Sequence, residues 1–188
     1  MLSYSHKFMF RHYGKSGGTS IKTFFHKKRE VHTKLVNYHK TIDQMKNVII
    51  YDGYDPKDFL KFTVTRNPWD KSVSNYHHYI NHYRIPISQL SFEAFIYNGL
   101  IIHKKHPWVS SIVVPSFEPF DFVIKFDNLQ EGFNELCSIL NIDSGILPHI
   151  DYNSNRPKVN YKSYYTKKLI HIVADMNKVE IEKFGYTF

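Results

Sequence analysis

The sequence predicts an α/β fold, a single domain over residues 1–188 with a mostly parallel central sheet flanked by helices. Three observations predict it. Short segments of strand character alternate along the chain with segments of helical period, the pattern that βα units produce. A chain of 188 residues with 42% hydrophobic content can bury a core without cross-links. No internal repeat, low-complexity tract or Gly/Ser-rich linker divides it.

The elements follow in order. KFMFR (7–11) is a short strand running into a glycine-containing loop, and SIKTFFHKK (20–28) is a helix with Ile21, Phe24 and Phe25 on one face. NVIIY (47–51) and FLKFTVT (59–65) are apolar runs that predict buried strands. Asn67 suits a helix N-cap and Pro68 the first helical position, and Trp69, Val73, Tyr76, Ile80 and Tyr83 then recur at helical spacing. A short helix is expected over 91–98, a strand over 120–126 and a helix over 128–140, where Leu129, Phe133, Leu136 and Leu140 align. A loop rich in Pro and Asn leads to a last helix over about 166–183, which Gly185 ends.

The net charge is +8 and aromatics make up 16% of the chain. A basic balance favours anionic partners: nucleic acid, phosphorylated cofactors, sulfated or acidic glycans, or a membrane face. Cys137 is the only cysteine, so no internal disulfide forms, and beside Leu136 and Leu140 it reads as a buried structural thiol. The opening MLSYSHKFMFRHY is interrupted by Lys7 and Arg11 and does not read as a signal peptide. No run approaches the roughly 18 apolar residues of a membrane span, so the expected compartment is the cytoplasm, or the host cytoplasm for a viral source.

RHYGKSGGTS (11–20) carries Gly-Lys-Ser at its middle, the last three letters of a Walker A loop. The first glycine of that motif would fall at position 9, where Met9 stands, so the match fails where the loop must wrap the phosphate. A strand, Lys-Ser-Gly-Gly-Thr-Ser and an amphipathic helix still make an anion cradle. Gly17 and Gly18 let backbone N–H groups face a ligand, the helix offers its positive end, Thr19 and Ser20 add hydroxyls, and Lys15 adds a mobile charge. An ordinary strand-to-helix turn with a surface lysine is the alternative.

The second motif is RNPWDKSVSNY (66–76). Arg66 falls at the carboxyl end of an expected strand, where open α/β sheets place ligands, and Ser74 lies about two turns into the next helix. An arginine there can grip a phosphate with a fork of donors while the serine hydroxyl completes the shell. KSGGTS followed by RNPWDKSVSNY resembles the PAPS-dependent sulfotransferases, the group of Golgi carbohydrate sulfotransferases and their compact bacterial relatives, where the loops read PKTGGTS and RNPWDRLVSAY. The likeness continues through DFVIKFDNL (121–129), LPHI (147–150) and the ending EKFGYTF (182–188), and is thinnest from about 80 to 118.

The resemblance implies a P-loop-like nucleotide-binding sulfotransferase fold, with PAPS (3′-phosphoadenosine 5′-phosphosulfate) as sulfuryl donor, PAP as product, no metal, and a hydroxyl acceptor on a carbohydrate. Lys15, Ser16, Gly17, Gly18, Thr19 and Ser20 would bind the 5′-phosphosulfate, Lys15 also stabilising charge on the bridging oxygen. Arg66 and Ser74 would hold the 3′-phosphate, and Arg156, Lys158 and Tyr161 match a region that closes over the nucleotide. The departures are Ser16 for the usual Thr, Lys71 for Arg, and RHYG before the loop.

Transfer to a hydroxyl needs a base. His39 is the preferred candidate, because related bacterial sequences place a His before Thr ahead of the RNPW strand; His103 and His106 are alternatives and Asp52 is weaker. The His77–His78 pair and His103/His106 lack the Cys or carboxylate companions of a zinc site. Two other readings remain open: a small ATP-dependent kinase, and a non-catalytic basic module for nucleotides or polyanions. No nucleic acid partner and no transmembrane segment are expected.

Overall fold

A computed structural model describes residues 1–27, 33–34, 40–99, 119–150 and 156–188. The chain forms two compact units, each assembled from two stretches: Met1–Thr65 with Glu118–Ile150, and Arg66–Phe117 with Asp151–Phe188.

The first unit carries the sheet. Its strands are β1 (Leu2–Ser3), β2 (Phe8–Arg11), β3 (Thr33–Lys34), β4 (Leu60–Thr65) and β5 (Phe122–Lys125), in the order β3-β1-β2-β4-β5. The three longer strands pair in parallel, Phe10 opposite Phe62 and Val64 opposite Ile124; the two-residue strands β1 and β3 add antiparallel at one edge. Helices α1 (Gly18–Lys27), α2 (Ile42–Tyr51) and α5 (Leu129–Ile139) flank it. The strand period of two decides which helix meets which face. Phe8 and Phe10 pack with Phe62, Val64 and Ile124 against Ile21, Phe24 and Phe25 of α1 and Phe133 and Leu136 of α5. Met9, between them, packs with Leu2 against Ile42, Met45 and Ile49 of α2. Phe10 and Phe62 stack with centroids 4.7 Å apart, so the paired strands are also joined through their rings.

Residues 47–51, expected as a strand, are the last half of α2. Helix wins because Thr41 caps it: Thr41 Oγ1 accepts from the Gln44 N–H at 3.2 Å, and Gln44 Oε1 accepts from the Thr41 N–H at 3.0 Å. Within NVIIY only Ile49 is fully buried, continuing the spacing of Ile42 and Met45, while Ile50 and Tyr51 are exposed.

The second unit is helical, with α3 (Pro68–Tyr83), α4 (Phe92–Tyr97), α6 (Lys167–Met176) and α7 (Lys178–Phe184). Asn67 caps α3 through its Oδ1, which accepts from the Trp69 N–H at 3.1 Å, and its Nδ2 donates to the Thr187 carbonyl at 2.9 Å. Trp69, Val73, Tyr76 and Ile80 pack against Phe92 and Phe95 of α4 and Leu169 and Val173 of α6. The final helix expected over 166–183 is broken at Asn177, whose fully buried side chain donates to the Val173 carbonyl at 2.9 Å and whose backbone leaves the helical region. Gly185, in the left-handed conformation, ends α7. Among the described residues no helix is long and apolar enough to cross a membrane.

Candidate functional site

The first unit places the Lys-Ser-Gly-Gly-Thr-Ser run after β2, with its last three residues opening α1. Its backbone turns through positive φ twice, at Lys15 (62°) and Gly17 (77°), before the helix starts at Gly18. A lysine at positive φ is strained, and such strain is kept where the backbone must take a particular path. Turns of this kind direct neighbouring N–H groups to one side and form anion-binding concavities. Ser20 donates its N–H to the Gly17 carbonyl at 3.0 Å, closing the first turn. Ser16 is 1% exposed, and its Oγ has no hydrogen-bond partner among the described residues. A buried hydroxyl in that state costs about 1–3 kcal/mol. Lys15 and Thr19 are half-buried and Ser20 is buried.

His12 belongs to this loop although no role was expected of it. It follows β2 directly, stacks at 18° on Phe10, and lies against Gly18: a Cβ there would meet its Cδ2 at 2.2 Å and its Nε2 at 2.6 Å. Only glycine fits at 18 beside this ring. The signal in the sequence was RHYG, where the loop departs from those it resembles.

The second unit brings Arg66 and Arg156 together on Asp70. Arg66 Nε and Nη2 both reach Asp70 Oδ2, at 2.8 and 2.6 Å, and Arg156 Nη2 reaches Oδ1 at 2.9 Å. The Arg66, Asp70 and Arg156 side chains are 10%, 18% and 19% exposed. Asp70 occupies the first turn of α3, where a carboxylate is also favoured by the helix dipole. That ordinary reason for an acidic residue hid its second use. Ser74 is buried on the same helix, Lys158 is exposed, and the Tyr161 ring packs edge-on to Phe188 at 6.0 Å. His77, also on α3, is buried with its Nε2 2.8 Å from the Tyr164 hydroxyl; burial first, then the charge of Arg156, hold its pKa below the usual histidine value.

His39, His103 and His106 lie outside the described residues. Asp52 caps the end of α2 and accepts a hydrogen bond from the Tyr4 hydroxyl, whose pKa is pushed up by desolvation and then by that carboxylate. Among the described residues no group of three or more His, Cys, Asp or Glu side chains could hold a metal ion.

No family model matches the chain, and no curated protein matches it. Among solved structures it is similar to a sulfotransferase from Alicyclobacillus acidocaldarius, at 16% identity and a TM-score of 0.43, over 74% of this chain. The chain spans 59% of the length of that protein.

Proposed function

We propose that this chain is a sulfotransferase that moves a sulfuryl group from PAPS to a hydroxyl acceptor on a carbohydrate. The observation that carries the reading is the loop before α1. Two positive-φ residues lead into a helix start, with a buried Ser16 hydroxyl that lacks a partner among the described residues. These features fit a sulfonucleotide's anionic end, and the loop lacks the first Walker glycine that a kinase would use.

Bound PAPS supplies the sulfuryl group. In this reading the chain's own residues hold and neutralise charge. The N–H groups of Gly17, Gly18 and Thr19, with the Ser16, Thr19 and Ser20 hydroxyls, donate to the phosphosulfate. Lys15 keeps an ammonium at the bridging oxygen, where negative charge grows as the sulfur–oxygen bond breaks. Arg66 and Ser74 bind the 3′-phosphate, with Arg156, Lys158 and Tyr161 contributing to nucleotide binding. His39 takes the proton of the acceptor hydroxyl. The carbohydrate acceptor and His39 follow the family resemblance.

Thermal unfolding of the full chain with PAP, with ATP and with neither tests this. At 100 times its Kd a ligand adds about 2.7 kcal/mol, or roughly 5–10 °C for a chain of this size. A shift with PAP and little with ATP is expected. Equal shifts would favour a general nucleotide enzyme, and no shift with either would sink the sulfonucleotide reading.

A further inference from the structure

We infer that Asp70 is a positioning residue that joins Arg66 and Arg156 into one two-guanidinium site for a phosphate monoester, and that this site sets the preference for a 3′-phosphorylated nucleotide. The inference rests on the sulfonucleotide reading above and goes beyond it by making recognition depend on an acidic residue.

The geometry divides one carboxylate between two arginines, Oδ2 to Arg66 and Oδ1 to Arg156. A carboxylate is rigid and planar, so it fixes the spacing of two guanidiniums that would otherwise repel each other. The two arginines are far apart in sequence and come from different kinds of backbone. Arg66 directly precedes α3 and its cap Asn67, whereas Arg156 lies in a stretch with neither helix nor strand. Asp70 bridges the two at 2.6–2.9 Å. Counted over its three members, the cluster carries one net positive charge. Positive potential extends past it, because Arg156 helps to hold down the pKa of His77. Two guanidiniums around a positive, largely buried centre match the oxygens of a phosphate monoester.

Charge and position make opposite predictions for Asp70→Asn. Removing the carboxylate raises the net positive charge of the cluster, which by itself strengthens phosphate binding. It also turns one oxygen into an NH2 donor facing a guanidinium, which releases one arginine from its place. The structure assigns the second effect the larger weight.

The test compares PAP with 5′-AMP, which differ only in the 3′-phosphate, by titration calorimetry on the full chain. The wild type should bind PAP at least about tenfold more tightly than AMP, and Asp70→Asn should lower that ratio by about tenfold while AMP affinity stays within about twofold. The Asp70→Asn/Arg156→Gln double variant should lose less of the ratio than the sum of the two single losses, because Asp70 acts through the arginines. A ratio in Asp70→Asn that is unchanged or higher overturns the inference, as does a double variant that loses the sum of the two singles. Equal binding of PAP and AMP by the wild type overturns the phosphate site and leaves the loop reading standing. Binding of neither nucleotide overturns the sulfonucleotide reading and the inference with it. If Asp70→Asn fails to fold by circular dichroism, Asp70→Glu carries the comparison: it keeps the charge, moves it by one methylene and should also lower the ratio, and an unchanged ratio refutes positioning.

Discussion

Replacing Gly18 with alanine puts a methyl group where the His12 ring lies. The new Cβ would stand 2.2 Å from Cδ2, 2.6 Å from Nε2 and 2.8 Å from Cγ of His12. Non-bonded carbons settle about 3.5–4.0 Å apart, so the ring must retreat by more than an ångström. Rotation about Cβ–Cγ cannot achieve this, because Cγ itself is too close. The imidazole has to change its first rotamer and give up its stack on Phe10. Overpacking of this kind costs about 1–3 kcal/mol, and Gly→Ala returns about 0.4–1 kcal/mol by restricting the unfolded chain. The net expectation is a loss of about 1–2 kcal/mol, or roughly 2–8 °C in Tm at this chain length. Urea denaturation of Gly18→Ala, His12→Ala and the double variant measures it, and in the His12→Ala background the Gly18→Ala loss should vanish. A Gly18→Ala variant within about 0.5 kcal/mol of wild type, the range of an inert substitution, would refute the close approach. So would a loss that persists without the histidine. Gly17→Ala is the control: its φ of 77° imposes about 1–2 kcal/mol of backbone strain and its Cβ would meet Leu129 Cδ2 at 2.8 Å, neither of which a change at His12 relieves.

Two further predictions concern the helical unit. Lys71 and Glu180 form an ion pair at 2.5 Å with side chains 1% and 2% exposed, so Lys71→Met removes the cation that faces a buried carboxylate and should cost about 3–5 kcal/mol. Lys71→Met/Glu180→Leu should recover most of that loss in chemical denaturation, and a single variant losing under about 1 kcal/mol would show that the pair is not sealed from water. The pKa of His77 lies below its unfolded value of about 6.5, so the unfolded chain binds more protons between the two values. Its contribution is therefore unfavourable below that window, and stability rises with pH through it. His77→Gln, which retains a partner for the Tyr164 hydroxyl, should flatten the fall in urea midpoint as the pH drops below about 6.5, and curves parallel to wild type would contradict the assignment.

The parts of the fold that were legible in the sequence carry local signals. Asn67-Pro68 announces a helix start, and the structure begins α3 at Pro68. FTVT and KFMFR are apolar or β-branched runs too short for helices, and they form β4 and β2. NVIIY looks the same over five residues and folds as helix, because the deciding residues, Thr41 and Gln44, lie upstream of it. The two-residue strands β1 and β3 are too short to have a period. At the candidate site the glycines and basic residues were legible by type. The second use of Asp70 was not, because it depends on a partner 86 residues away in sequence. His12 was visible only as a departure from a pattern, and its meaning came from the ring lying over Gly18.

The interleaving of the two units has a consequence for how the protein is made. The chain leaves the first unit at Thr65 and returns at Glu118, so β4 emerges well before β5, its parallel neighbour. At about 5–20 residues per second, synthesis of the intervening segment takes roughly 3–10 s. During that interval Phe62 and Val64 lie on a strand whose outer edge has no partner yet, the state in which strands recruit other chains. The second unit in turn waits for α6 and α7, which follow the first unit's second stretch. Neither unit can finish folding until its second stretch has emerged, so chains that stop before about residue 125 should be the dangerous products of translation.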